Sequence, residues 1–398
     1  MKQFIVGPDT ARMLELGHPW VLADRHTRTW QGGHAGDLIE LVDEKRQRLA
    51  TALLDPADRI VARVLSRAPM TLDAVWLGKR VSDAVQLRLR HALLQDTNAY
   101  RLVNAEGDGL PGLTVDRYGD YLMVQLYSPA WDRHLQLIIQ VLRQQLQPLG
   151  IYRKLRPQET RQLESRSKSK AYSELCWGDA APEPLQVLEN GLSYQVDLRE
   201  GLNTGLFPDQ RTHRQDLMQR ARGKRVLNLF AFTGAFSVAA AAAGAKQVTS
   251  IDVSAGYLKQ AEENFSMNRL NPKRHEFIVG DVFKELETMR KEGRRFDIIL
   301  FDPPSFSTTR KSRFSTHGGT SRLVAETLPL LDDGGLLISS SNHQKVDMGS
   351  YLKELRRGAL QAGCELRTIY RGGQPADFPC PVTFPEGVYL KYVISVKG

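Results

Sequence analysis

Cysteine is scarce in this chain: Cys176, Cys364 and Cys380 are the only thiols in 398 residues. Three thiols cannot form a fully paired framework, and none stands in a C-x-x-C spacing. A disulfide scaffold and a thiolate metal module are therefore excluded, and a reducing compartment is expected. No apolar run is long enough to cross a bilayer, and the opening MKQFIVGPDTARMLELGHPW lacks the apolar core of a secretory signal. These absences predict a soluble cytoplasmic protein with no membrane partner. A further absence concerns Arg225 to Asp252, which reads as strand, turn, helix and strand. Its turn has no G-x-G-x-x-G, so backbone cannot close on a pyrophosphate, and a dinucleotide is excluded there.

What that stretch does contain is RVLNLFAFTGAFSVAAAAAGAKQVTSID. Val226 to Phe230 has the length and bounds of a buried strand. The turn Ala231-Phe232-Thr233-Gly234 opens onto an alanine-rich helix ending at Gly244, and Lys246 to Ile251 is the next parallel strand. Asp252 stands at that strand's carboxyl end, about 20 residues beyond the turn, where an acid can accept both ribose hydroxyls of a nucleoside. S-adenosylmethionine has no phosphate, and its amino-acid carboxylate is an anion that a helix N-terminus can hold. Asp281, in FIVGDVF after the strand Glu276 to Val279, can reach an adenine amino group. Phe301-Asp302-Pro303-Pro304-Ser305-Phe306 follows the strand Phe296 to Leu300, and its two prolines stiffen the loop and remove two donors. Alone, D-P-P is an ordinary turn; after the fourth strand of a wound sheet, with two acids upstream, it points to methyl transfer.

Six stretches in order carry a resemblance to a known family: HPWV (18–21), EGDGLPGLTVDRYGDYL (106–122), TGLFPDQR (204–211), FAFTGAF (230–236), DPPSF (302–306) and PEGVYLK (385–391). Together they resemble the large-subunit (23S) ribosomal RNA methyltransferase I family. The resemblance implies an α/β fold whose C-terminal part is a Rossmann-like class I S-adenosylmethionine methyltransferase sheet. It also implies an N-terminal PUA barrel that binds RNA. The helical pattern that begins at Pro69 and the stretch Ala180 to Pro184 set boundaries at 1–68, 69–183 and 184–398, with a central α+β domain between. The implied partner is 23S rRNA or a precursor of the large ribosomal subunit, and the implied state a homodimer.

Composition agrees with a polyanionic partner, since the formal net charge is +9. VLADR, DLIELVD, LATALLD and IVARVLS alternate with turns as in a small barrel, where Arg25, His26, Arg28 and Trp30 are candidates for an RNA-facing surface or a solvated loop. Pro69 to Gln95 and Trp131 to Leu149 read as helices, and Arg101 to Tyr127 as a hairpin whose Glu106 and Asp108 cap turns. Tyr152 to Lys170 is a charge-rich stretch suited to solvent or to RNA phosphate.

Methylating C5 of a pyrimidine requires a thiolate adding at C6. Family members that make 5-methylcytosine carry a cysteine in the segment that here reads ISSSNH, and the matching position is Ser340. A serine hydroxyl is too weakly acidic to substitute. Guanine N7 already has a lone pair and needs only orientation, so it ranks first. Cytosine C5 with Cys380 as a relocated nucleophile ranks second and base amines third; a catalytically silent RNA-binding protein is the rival of another class. The transfer point is expected at Asp302 and Pro303, with Phe306 stacking on a flipped base, and Asn342 and His343 either meeting its edge or serving as polar groups at the strand end. The cofactor is expected to meet Phe207, Gln210 and Arg211 of the covering loop, Asn228 and Phe230 of the strand, Thr233 and Gly234 at its methionine end, Asp252, Asp281 and Asp302. Arg211 and Arg214 are candidate phosphate or carboxylate contacts or part of a helical surface, and Arg310, Lys311 and Arg313 form a basic loop for RNA or for solvent.

Overall fold

Short apolar runs broken by Gly and Asp turns build the first sheet. In the computed structural model it comprises β1 (Lys2–Ile5), β2 (Trp20–Leu22), β3 (Leu38–Val42), β4 (Arg48–Leu54) and β5 (Ile60–Ser66), paired in the order β1-β3-β4-β5-β2, with α1 (Pro8–Glu15) after β1. Phe4, Val21, Ile39, Leu41 and Leu54 form its core. The structure describes residues 1–155, 172–200, 203–304, 306–308 and 313–398, with 306–308 and 313–318 described by backbone path alone. Most of the charge-rich stretch and the loop bearing Arg310 and Lys311 lie outside the described residues.

A second sheet follows α2 (Ala74–His91): β6 (Ala99–Asn104), β7 (Leu113–Tyr118), β8 (Tyr121–Leu126), α3 (Leu135–Leu146), β9 (Gly150–Lys154) and β10 (Ser173–Gly178), ordered β10-β9-β8-β7-β6. The stretch 101–127 is thus three strands rather than one hairpin, because the left-handed Gly119 makes a second tight turn between β7 and β8. Asp108 is more than a turn cap. It takes a two-pronged hydrogen bond from the buried Arg88, at 2.6 and 2.8 Å, and Arg88 also donates to the Asp377 carbonyl at 2.8 Å. Glu106 accepts from the Trp20 indole at 2.8 Å.

By proximity of its Cα atoms the chain divides into two compact units, one of residues 1–185, 197–204 and 376–387, the other of 186–196, 205–375 and 388–398. The second unit contains all but the first residue of β11 (Leu185–Glu189), then β12 (Leu192–Val196), α4 (Arg211–Arg220), β13 (Arg225–Leu229), α5 (Ala235–Ala242), β14 (Gln247–Asp252), α6 (Ala255–Met267), β15 (Glu276–Val279), α7 (Val282–Lys291) and β16 (Phe296–Phe301). These are followed by β17 (Phe306–Thr308), β18 (Arg313–Ser315), α8 (Thr316–Thr327), β19 (Leu331–Ser341), α9 (Met348–Gln361), β20 (Leu366–Gly372) and β21 (Lys391–Lys397). Its main sheet runs β15-β14-β13-β16-β19-β21-β20, parallel except for β21. The strand order reverses between β13 and β16, and ligands of wound sheets bind beyond the carboxyl ends at such a reversal. Leu227, Leu229, Ile299, Phe301 and Leu337 are buried beneath that edge.

Candidate active site

The turn leaving β13 is wound left-handed at alternate residues. Phe230 and Phe232 have φ of 58° and 51°, and Gly234, which begins α5, has 74°. Two bulky residues in that region are costly, about 1–3 kcal/mol each, and persist only where surrounding contacts determine them. Here the Ala231 N–H donates to the Ile251 carbonyl at 2.9 Å and the Phe232 N–H to Asp252 Oδ2 at 2.9 Å. The Thr233 hydroxyl donates to the Gly205 carbonyl at 2.6 Å, and the Asn264 amide to the Thr233 carbonyl at 2.9 Å. A Cβ on Gly234 would lie 2.6 Å from Cβ of Ala261.

Asp252 uses one oxygen on the Phe232 N–H and the other on the Ser254 N–H, at 2.9 Å each. A carboxylate has about four lone-pair positions, so acceptor capacity remains for ribose hydroxyls. Asp281 caps α7, its Oδ1 accepting from the N–H groups of Phe283 and Lys284. Val253 and Val279 are exposed beside these two acids at the strand ends. Phe232 packs edge-on to Tyr257 at 4.5 Å and lies 5.3 Å from Phe207, which itself is exposed. Sequence reasoning did not single out Val253, Val279 or Tyr257, although their places next to the two acids were a usable signal. Apolar side chains flanking two acceptors suit an adenosine, so the donor set fits the expected cofactor.

Asn228 is engaged elsewhere. It is buried, and its amide donates to the Ser237 hydroxyl at 2.9 Å, which in turn meets that of Ser250 at 2.7 Å. This chain joins β13, α5 and β14 inside the layer. Arg214 is likewise occupied. Its guanidinium makes a two-pronged pair with Glu189 at 2.5 and 2.6 Å and donates to the Phe207 carbonyl at 2.8 Å, so it fixes the loop rather than meeting phosphate. Arg211 is fully buried at the start of α4.

At the end of β16 the site closes on Gln210. Its amide nitrogen donates to Asp302 Oδ2 and to the Ser340 hydroxyl, both at 2.8 Å, and its oxygen lies 2.6 Å from His213 Nδ1. Ser340, buried in β19, also hydrogen-bonds Asp302. Burial and the neighbouring negative charge of Asp209 raise the Asp302 carboxyl to about 6, against the hydrogen bonds from Ser340 and Gln210 and the charge of Arg214. Asp209 is itself held by the Tyr389 hydroxyl at 2.8 Å. Pro303 is buried, whereas Asn342 is exposed just past β19. The loop carrying Asn342 is anchored by the buried Lys391, whose Nζ donates to the carbonyls of His343 and Tyr389 at 2.6 Å each. Phe306 lies on β17, and its side chain and that of Arg313 fall outside the described residues.

Among the described residues of the second unit, no thiol hydrogen-bonds this group. Cys380 belongs to the first unit, where its thiol donates to the Phe384 carbonyl at 2.9 Å; burial, with Glu106 and Glu386, pushes it up and keeps it protonated. Cys364 follows the end of α9 with its thiol toward the Ala362 carbonyl, and Cys176 sits in β10, raised by burial.

Comparison with known proteins agrees with this geometry. Residues 101–386 match the model of a family of S-adenosylmethionine-dependent methyltransferases, and residues 4–67 match that of a PUA-like domain. The ribosomal RNA large subunit methyltransferase I of Yersinia pseudotuberculosis is 33% identical over 390 residues, covering 98% of each chain. Among solved structures, a methyltransferase in complex with SAH superposes with a TM-score of 0.89 at 30% identity, covering 100% of each chain. A SAM-dependent methyltransferase from Streptococcus mutans gives 0.85, also at 30% identity and with both chains fully covered.

Proposed function

Because the chain belongs to the ribosomal RNA large subunit methyltransferase I family, S-adenosylmethionine-dependent enzymes with a PUA-like domain, we propose that it methylates a base of 23S rRNA at guanine N7. The observation that carries the choice of atom is the state of Ser340. Its hydroxyl is buried and hydrogen-bonded to both Gln210 and Asp302, and among the described residues neither partner is basic enough to hold an alkoxide's proton. A carboxyl that gives up its proton near pH 6 is far too weak a base for that task. Covalent addition to cytosine C6 therefore lacks its nucleophile. Cys380, kept protonated and hydrogen-bonded to a backbone carbonyl, is a poor replacement.

S-adenosylmethionine, when bound, supplies an electrophilic methyl group on its sulfonium. The residues that would hold it are Asp252 on the ribose, Asp281 on the adenine, Val253 and Val279 against the ring, and Thr233 and Gly234 at the start of α5 for the carboxylate. Alkylated N7 carries a positive charge and releases no proton. The site then needs a fixed anion rather than a base, and Asp302, ionised above about pH 6, supplies it. Gln210 and Ser340 hold that anion by hydrogen bonds, and Pro303 fixes the backbone around it. Phe306 stacks on the flipped purine and Asn342 meets its edge. Basic residues of the PUA-like domain give affinity for RNA phosphate, and the family premise makes a homodimer the expected state, measurable by light scattering.

The test uses labelled S-adenosylmethionine and large-subunit rRNA from cells lacking the enzyme, digested to nucleosides and analysed by mass spectrometry. Labelled 7-methylguanosine is expected. Labelled 5-methylcytidine overturns the reading and makes Cys380→Ala the next variant. Cofactor binding without any labelled nucleoside favours a silent RNA-binding protein.

A further inference from the structure

The side chain of His213 has no assigned part in the site, yet it is buried and held on several sides. The ring is buried on α4 and stacks flat on Tyr392, with centroids 3.8 Å apart and an interplanar angle of 0°. Tyr392 is the residue directly across from Ser340 in the β19–β21 pairing. The far edge of the ring is closed by Gly372, where a Cβ would come within 2.8 Å of Nε2. His213 Nδ1 is left facing the Gln210 amide oxygen at 2.6 Å.

Hydrogen-bond chemistry then assigns the protons. An ionised Asp302 only accepts, so the end of the Gln210 amide facing it must be NH2, as placed, and the end facing His213 must be the oxygen. That oxygen accepts, so the tautomer that serves Gln210 carries its hydrogen on Nδ1, while the same ring also meets the Gly373 backbone. Burial and the charge of Arg214 lower His213 to about 3, against the hydrogen bond with the Gly373 backbone, so the ring itself stays neutral throughout the working range. A glutamine amide without such a partner can turn over and aim its oxygen at Asp302, repelling the carboxylate instead of donating to it.

From this geometry we infer that His213 is a positioning residue for methyl transfer: clamped by Tyr392 and Gly372, it fixes the orientation of the Gln210 amide and thereby the hydrogen bonds that hold Asp302 and Ser340. The inference rests on Asp302 standing at the transfer point, and it holds whichever base is methylated. Besides Gln210 and Ser340, the groups acting on Asp302 among the described residues are Asp209, Arg214, Tyr351 and Tyr392, all of which the variants below leave in place.

The experiment compares wild type, His213→Leu, His213→Asn and Asp302→Asn as full chains, measuring kcat, KM for S-adenosylmethionine, melting temperature and the pH dependence of kcat. Leucine fills the site without a donor, whereas the asparagine amide returns an N–H close to the Nδ1 position. His213→Leu is expected to lose about tenfold in kcat, the scale of one charge-assisted hydrogen bond, with KM for the cofactor within about twofold. Its acid limb moves to higher pH, because Asp302 loses a donor that favours the ionised form. His213→Asn is expected to recover kcat to within about threefold and to restore the limb. Wild-type kcat in His213→Leu overturns the inference, and so does a His213→Asn variant that binds cofactor but is no better than His213→Leu. If the leucine variant fails to fold, His213→Asn decides alone: near-wild-type kcat with an unmoved limb supports the inference, and lost kcat overturns it. Full activity of Asp302→Asn instead refutes the role given to Asp302 itself, which separates the two failures.

Discussion

The Asp302 carboxyl is held near 6, above its ordinary 3.8, by burial and by Asp209. The folded chain therefore binds this proton more tightly than the unfolded chain does, and the sign follows. Below about pH 4 the group is protonated in both states and costs nothing; stability falls as pH rises from there through 6, and the full penalty stands above it. Asp302→Asn is expected to be more stable than wild type at pH 8, by about 1–3 kcal/mol in urea titration, with the gap closing toward pH 4. The same variant should lose methyl transfer, so stability and chemistry pull apart at one residue. An Asp302→Asn protein no more stable than wild type at pH 8 contradicts this. Gly234 is the second residue under load, since Ala there meets both a φ of 74° and Ala261. Gly234→Ala should lower the melting temperature by an amount equivalent to about 1–3 kcal/mol and weaken SAH binding measured by calorimetry.

At the scale of elements, α4 and the β11–β12 hairpin are joined by the buried pair of Arg214 and Glu189. Arg214→Met leaves Glu189 charged and unpaired, with an expected cost of about 3–5 kcal/mol in denaturant unfolding; adding Glu189→Leu should return most of it. A single variant as stable as wild type would refute the pair's importance. This scale also separates what the sequence disclosed from what it hid. The hydrophobic runs of β13, β14, β15 and β16 and the acids closing them were legible because strand length and a terminal Asp are local features. The left-handed Phe230 and Phe232 were not, since phenylalanine gives no sign of such a turn. Asn228 could not be placed, because a polar residue in a buried strand looks the same whether it meets a ligand or a helix serine. Gln210 was named by resemblance alone, as its partners stand 92 and 130 positions away and no periodicity links them. Residues 197–204 and 376–387 join the first unit through contacts such as Arg88 with Asp377, which no shift in composition announces.

For the whole molecule, a net charge of +9 makes association with RNA an exchange of counterions. The logarithm of the association constant for an rRNA fragment should fall linearly with the logarithm of salt concentration, by about 0.7–0.9 per phosphate neutralised. SAH binding should stay nearly level over the same range, since the proposed cofactor contacts are hydrogen bonds and apolar packing rather than a row of phosphates. A flat RNA response would contradict a phosphate-led interface. The order of strands bears on how this molecule is made. β21 comes last among the strands of its sheet yet lies inside it, between β19 and β20. While the chain is still being translated, the edge of β19 that β21 will cover has no partner, and the Ser340 position lacks Tyr392 opposite it. A nascent chain emerging from the ribosome therefore already carries Asp252, Asp281 and Asp302 and still cannot complete this sheet until β21 leaves the exit tunnel.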